Sequence, residues 1–307
     1  MLYTITFNPA VDLVMNTDVI HLGELNRVKR DEYVAGGKGI NMSVLLKRLG
    51  HHNIATGFLG GFSGDFIQKS LKEEGVQPEF VNIDAITRIN VKIKADQETE
   101  INANGPVIQE QDIQKLFNYF NEVLVKGDTV LLAGNATPGM TSDHYVKVAE
   151  LCASKQVDFV LDSNKDLLTA CLVHKPFLIK PNAQELSEIF NVKVDSIEEV
   201  IHYGKMLQEK GARNVIVSLG GDGAVLLTET GEVYQSSVPK GEVVNSVGAG
   251  DSMVAGFIAK YIESGQYEDS LKQGAASGSA TAFSVGIATK ELIDQLIKEI
   301  EIKRIGG

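Results

Sequence analysis

The chain of 307 residues is 43% hydrophobic and 22% charged, with 40 acidic against 29 basic residues and a formal net charge of −11. That balance excludes a disordered or fibrous chain and has the wrong sign for a general polyanion-binding surface, so neither nucleic acid nor an anionic membrane is expected as a partner. A small anionic ligand remains open to it, because a few convergent Lys, Arg and backbone N–H groups bind such a molecule locally.

No apolar run approaches the roughly 18 residues of a membrane-spanning helix, and the opening MLYTITFNPAVD lacks a basic segment followed by an apolar one. Cys152 and Cys171 form no CxxC pair and read as buried, small apolar side chains, so a reducing cytoplasm is expected. The six histidines show no HxxxH or HExxH spacing, so no His-based metal site is expected.

In chain order, Asp12 follows a strand and the Asn8–Pro9 turn, where its carboxylate is either a sugar-hydroxyl acceptor or an ordinary turn aspartate. Residues about 11–35 and 87–105 carry polar alternation and predict a small exposed β-sheet, either a lid or a hairpin solvated on one side. Between them, GGKGIN (36–41) gathers three glycines, a Lys38 cation and the Asn41 amide, as a ligand loop or as a glycine-rich entry to the helix NMSVLLKRLG. In Thr87-Arg88-Ile89-Asn90, alternation places Arg88 and Asn90 on one face, suited to bidentate phosphate binding or to plain exposure.

Ile113, Leu116, Phe117, Phe120, Val123 and Leu124 form an apolar stripe of helical period, closed by Gly127. The runs 128–134, 157–162, 176–180 and 214–219 are nearly all apolar, as strands buried on both faces are, and helical patterns alternate with them. KPNAQE (180–185) presents Lys180, Asn182 and Glu185 after one such strand, at the edge where these sheets place ligands. SLGGDGA (218–224) joins two strands through a glycine hairpin, whose backbone could pack against a flat ring.

In VNSVGAGDSMVAGF (244–257) a strand-like run meets Gly248, Ala249 and Gly250, then Asp251, then a helix. Such a turn offers unpaired N–H groups and the positive end of a helix dipole to a phosphate. An Asp there repels a phosphate that is merely held, yet is well placed to take a proton from a hydroxyl attacking it; the bland alternative is a helix cap. The last segment, 290–305, reads as a packed surface helix. GGKGIN is not GxxxxGK[ST], and GAGDSM lacks the third glycine of GxGxxG, so neither a P-loop NTPase nor a dinucleotide oxidoreductase is expected.

NPAVD, GGKGIN, TRINVK, TEIN, AGNATPG, KPNAQE, SLGGDGA and VGAGD, in that order along the chain, resemble the phosphofructokinase B family of ribokinase-like sugar kinases. The resemblance implies one kinase domain over 1–307: a doubly wound, mainly parallel α/β sheet flanked by helices, with a small β-sheet lid from about 11–35 and 87–105. It implies ATP with Mg2+ and, as acceptor, D-fructose 1-phosphate, phosphorylated at the 6-hydroxyl; tagatose-6-phosphate kinase and a non-catalytic sugar-phosphate sensor on the same fold are the alternatives. By position, it gives Asp251 as base and the Gly248–Ala249–Gly250 backbone as anion hole. Asp12, Gly37, Lys38, Asn41, Arg88 and Asn102 would hold the sugar phosphate, with Arg27 reaching across a homodimer formed through the lid. Lys180, Asn182, Glu185, Ser218, Gly220, Gly223, Ser246, Gly248 and Gly250 would face the nucleotide, Glu185 meeting Mg2+ through water. Asn135 departs from the family's pattern, where many relatives carry serine.

Overall fold

The computed structural model describes residues 1–307. Its strands, in chain order, are β1 (Leu2–Thr6), β2 (Ala10–Asn16), β3 (Arg30–Gly36), β4 (Asn53–Leu59), β5 (Gln77–Pro78), β6 (Val81–Asn82), β7 (Arg88–Lys94), β8 (Thr99–Ile101), β9 (Thr129–Ala133), β10 (Asp158–Asp162), β11 (Leu178–Ile179), β12 (Asn214–Ser218), β13 (Ala224–Leu227), β14 (Val233–Ser236) and β15 (Ile302–Gly306). The helices are α1 (Lys38–Arg48), α2 (Gly61–Glu73), α3 (Glu110–Val123), α4 (Ser142–Lys155), α5 (Lys165–Cys171), α6 (Ala183–Phe190), α7 (Ile197–Glu209), α8 (Ala249–Ser264), α9 (Tyr267–Ala282) and α10 (Lys290–Leu296). None is long and apolar enough to cross a membrane.

The main sheet runs β15-β14-β13-β12-β11-β10-β9-β1-β4-β5, with β6 also on β4; pairing is parallel from β5 and β6 through β12 and antiparallel beyond. Alternation along its apolar strands feeds two cores. Tyr3, Ile5, Val130, Leu132, Phe159, Leu161, Val215 and Val217 pack on one face with side chains of α3, α4, α6 and α7. Leu2, Leu131, Val160 and Ile216 pack on the other with α1, α8, α9 and α10. Covering both faces is what allows central strands to be nearly all apolar. Cys152 and Cys171 lie fully buried in the first core, where burial pushes both thiols up to about 12.

The chain leaves β1 toward β4 on one side and returns to β9 on the other, so the order reverses between β1 and β9. Ligands bind such sheets outside the carboxyl ends of the strands at that reversal. Over those ends stands a separate four-stranded sheet, β3-β2-β7-β8, in which β2 pairs parallel with β7 and antiparallel with β3. It is the lid sheet expected from 11–35 and 87–105, although residues 17–29 are not strand. Its odd-numbered face turns Val11, Ala35 and Ile89 to a third core with α1 and α2, and Tyr33 meets Phe66 edge-on at 6.5 Å.

Four expectations are corrected. Asp12 lies within lid strand β2, so the turn-aspartate alternative falls, because β2 begins immediately after Pro9. The run before Gly248 is not a strand: residues 237–248 pair with no strand, and Val243, Val244 and Val247 are exposed. The strand of 176–180 shrinks to Leu178–Ile179. The C-terminal segment is helix only to Leu296; its end forms β15, antiparallel to β14. There the alternation Ile300, Ile302 fits a sheet edge, and buried Ile300 anchors it. Because β15 covers the edge of β14, deleting residues 302–307 is expected to lower the thermal midpoint by on the order of 5 °C and to promote aggregation. An unchanged midpoint in a melting experiment would show that the edge needs no cover.

Candidate active site

The central strands end at one cavity of about 1260 Å3 at the carboxyl edge, lined by Thr6, Asp162, Lys180 and Ser218 at or one step past their strand ends, and by Gly134 just past β9. The lid face carrying Asp12, Arg88 and Lys92 closes its other side. Two helices start there. Gly37 caps α1 at φ 128°, a conformation that favours glycine, and sets Lys38 and Asn41 in the first turn. Gly248 caps α8 in the left-handed region at φ 81°, and Asp251 falls in that helix's first turn.

The charges between them form a compact group. Asp162, 2% exposed, pairs with Lys38 at 3.2 Å and Lys180 at 3.8 Å, and its Oδ2 is buried with no partner. Burial resists its ionisation, but Lys180 and Lys38 outweigh that and hold the carboxyl below its ordinary 3.8. Burial likewise works against the Lys38 ammonium, yet Asp162 and Asp251 keep its pKa above 10.5. Asp251 is buried and accepts a hydrogen bond from Asn41 Nδ2 at 2.8 Å. Burial first, and the charge of Asp162 second, push Asp251 up to about 6. A carboxylate with that value is mostly ionised at neutral pH and is a stronger base than an ordinary aspartate.

Beside it, Ala249 donates to the Ser246 carbonyl at 3.2 Å, whereas the amides of Gly250 and Asp251 sit in the first helical turn, with no carbonyl one turn back to receive them. Lys180 lies against Gly250, where an added Cβ would stand 3.1 Å from its Nζ. Gly134 is held by Tyr145 Oη and Ser163 Oγ, which donate to its carbonyl at 3.0 and 2.9 Å, and so fixes Asn135 at the cavity wall. Two cations, two buried carboxylates and free helix amides around one cavity can align two anions and take a proton between them.

The profile of the pfkB family carbohydrate kinases matches residues 5–293. The chain belongs to the pfkB family. It is 45% identical to a 1-phosphofructokinase of Bacillus subtilis (strain 168) over 99% of this chain and 100% of that one. It is 39% identical to a D-tagatose-1-phosphate kinase of Bacillus licheniformis over 99% and 100%. Phosphofructokinase-2 from Escherichia coli, crystallised with substrates and products, superposes at a TM-score of 0.90 with 25% identity, covering 97% of this chain and 98% of that one. This pfkB protein is therefore an ATP-dependent sugar kinase of ribokinase-like fold with a lid.

Of the residues singled out from sequence, Asp12, Gly37, Lys38, Asn41, Arg88, Asn102, Lys180, Asn182, Glu185, Ser218, Gly248, Gly250 and Asp251 line the cavity together. Ala249, Ser246, Gly220 and Gly223 do not line it; Ser246 and Gly220 are exposed, and Gly223 is packed against the Ser236 backbone. Arg27 is exposed on the lid segment, away from this chain's cavity. Arg88 spends three donors on main-chain carbonyls, Asn8 at 2.9 Å, Ala103 at 3.0 Å and Pro9 at 3.4 Å, so it also ties β7 to the segments before β2 and after β8. Asn182 and Glu185 form a reciprocal cap on α6, each backbone N–H bonding the other's side chain at 2.8 Å. Sequence reasoning passed over Asp162, Lys92 and Asn8. For Asp162 the signal was present, a carboxylate ending an otherwise apolar strand at the ligand edge.

The raised Asp251 pKa has a thermodynamic consequence. Its group favours the fold most below its ordinary 3.8 and loses that contribution as pH rises through about 6. Asp251→Asn is thus expected to raise the thermal midpoint at pH 7.5 by about 2 °C or more, with the gain shrinking toward pH 4. Calorimetry across that range checks it; a variant less stable at pH 7.5 would contradict a strained carboxylate.

Proposed function

We propose that this kinase moves the γ-phosphoryl group of ATP to the 6-hydroxyl of D-fructose 1-phosphate, giving D-fructose 1,6-bisphosphate. The observation that carries the reading is Asp251, buried, hydrogen-bonded to Asn41 and raised to about 6, in the first turn behind Gly248. A protein that only bound sugar phosphate would gain nothing from a carboxylate beside its phosphate site. The name of the Bacillus subtilis relative supports the substrate.

In this reading Asp251 accepts the proton of the attacking hydroxyl. The free amides of Gly250 and Asp251 at the α8 N-terminus, with Lys180, stabilise the charge on the transferring group. Arg88, with two of its five N–H donors unspent, and Lys38 hold the 1-phosphate. Asp12 accepts from the sugar hydroxyls, with Gly37, Asn41 and Asn102 alongside. Locally gathered cations let a −11 chain hold two polyanions.

No group of three or more His, Cys, Asp or Glu side chains stands ready for a metal ion. Mg2+ suits such a site, since it keeps its waters and takes one or two carboxylates plus phosphate oxygens. Glu185 fits as its protein contact: it lines the cavity, and while Oε2 caps Asn182, Oε1 has no protein partner. When bound, the ion would neutralise phosphate charge.

The lid leaves Leu22, Leu25, Tyr33 and Ile101 exposed at 92%, 77%, 54% and 59%. Pairing with the lid of a second chain in a homodimer would cover them, and would carry Arg27 toward the partner's sugar phosphate. A single kinase domain over 1–307 is part of the same proposal.

A second reading, D-tagatose 1-phosphate as acceptor, is favoured by the Bacillus licheniformis relative; that sugar differs from the fructose ester only at one carbon's configuration. A steady-state panel of the 1- and 6-phosphates of fructose and tagatose with MgATP decides. Fructose 1-phosphate is expected to give the highest kcat/KM; a preference for tagatose 1-phosphate moves the assignment to the second reading, and turnover of neither 1-phosphate overturns both. Asp251→Asn is expected to lose about 10² to 10⁴ in kcat, and wild-type kcat/KM to fall as pH drops through about 6. A flat acid limb in a pH–rate profile would remove Asp251 as the base. Mixing Arg27→Ala with Asp251→Asn subunits is expected to recover activity above either parent, since a mixed dimer holds one intact site; no recovery would confine each site to its own chain.

A further inference from the structure

On the cavity-facing side of the lid, Asp12 has neither oxygen free of the sheet around it. Asn90, its register partner across β2 and β7, donates from Nδ2 to Oδ1 at 2.9 Å, and Lys92 Nζ lies 3.3 Å from Oδ2. Lys92 is 13% exposed and Asp12 17%, so the pair is largely withdrawn from water. Lys92 is anchored in turn by its cross-strand neighbour Glu100, whose Oε1 lies 3.5 Å away while Oε2 accepts from Asn102 at 3.3 Å. The Ala103 amide donates to Asn90 Oδ1 at 3.2 Å and completes the chain.

We propose that Lys92, held by Glu100, is a positioning residue that clamps Asp12 in the inward orientation needed to accept the acceptor sugar's hydroxyl groups, and so sets sugar affinity. The inference rests on the reading of Asp12 as a sugar ligand. Its basis is geometric. A single-bonded carboxylate on a strand rotates about its terminal torsion, whereas one fixed at one oxygen by an amide and at the other by an ammonium presents its remaining lone pairs in one direction. Lys92 fixes the second oxygen without occupying the sugar's place, because it sits one strand over and two residues beyond Asn90. Glu100 keeps the ammonium from following the carboxylate out toward solvent.

The test is a double-mutant cycle on the full-length kinase, reading KM for fructose 1-phosphate, KM for ATP and kcat. Lys92→Met is expected to raise KM for the sugar phosphate about tenfold or more, as loss of a charge-assisted contact does, with kcat at saturation and KM for ATP within about twofold of wild type. Lys92→Arg is expected to recover most of the loss. If Lys92 acts through Asp12, the double variant Lys92→Met/Asp12→Asn will be no worse than Asp12→Asn alone. Multiplying effects would make Lys92 an independent sugar contact and overturn the clamp. A normal sugar KM in Lys92→Met beside a raised one in Asp12→Asn overturns the inference alone; a normal KM in Asp12→Asn overturns the Asp12 assignment beneath it. Glu100→Gln gives a milder probe should Lys92→Met fail to fold: its sugar KM is expected to rise about two- to fivefold, and a fall would mean that Glu100 withholds Lys92 from the sugar.

Discussion

Two carboxylates and the Lys180 ammonium are buried together where the central strands end, with the half-exposed Lys38 beside them, and none of the buried three could sit there alone. An isolated charge in that place would shed or take a proton. Lys38 comes from the first turn of α1, Asp162 from the end of β10, Lys180 from just past β11 and Asp251 from α8. Their mutual compensation therefore ties four elements to one point. The compensation is uneven: Asp162 sits between both lysines and stays strongly ionised, and Asp251 is left as the more basic carboxylate. One fixed anion and one base result from the same residue type, because one has the cations as direct partners and the other has an amide.

Much of this was legible from sequence because its signals are local. Glycines at 36, 37 and 39 and at 248 and 250, each just ahead of a helical pattern, announce backbone that must bend and approach a ligand. The polar alternation of 87–94 against the unbroken apolar runs of 128–134 and 157–162 separates a sheet with one open face from a sheet with none. What escaped depends on partners far apart in the chain. Lys38 and Asp162 are 124 residues apart, and Asn41 and Asp251 210. No spacing rule relates such pairs; only the crossing of the chain at β1 and β9 brings them together.

The errors have physical causes too. Residues 290–305 carry an apolar pattern compatible with helix throughout, and it is the open edge of β14 that draws their last residues into a strand. The valines at 243, 244 and 247 have strand propensity but find no neighbouring strand to pair with. An ordinary turn aspartate is the alternative that Asn8 and Pro9 suggest for Asp12, yet Pro9 occupies the last position before pairing begins, where its missing N–H costs nothing.

Helix α1 carries ligand-facing groups at its start and a guanidinium at its end. Arg48 grips Glu74 through Nε at 3.2 Å and Nη2 at 2.6 Å, while Nη1 bonds the carbonyls of Ile287 and Ala288, the latter at 3.3 Å. Ile287 in turn packs against Gly248, so closely that a Cβ there would stand 2.9 Å from its Cδ1. Eleven residues of helix, about 16 Å, thus act as a strut between the GGKGIN turn and the segment that backs the α8 N-terminus. A rigid strut gives the two helix starts that line the cavity a common length standard: whatever tilts α1 displaces both by related amounts, so their separation is kept while the walls around them shift.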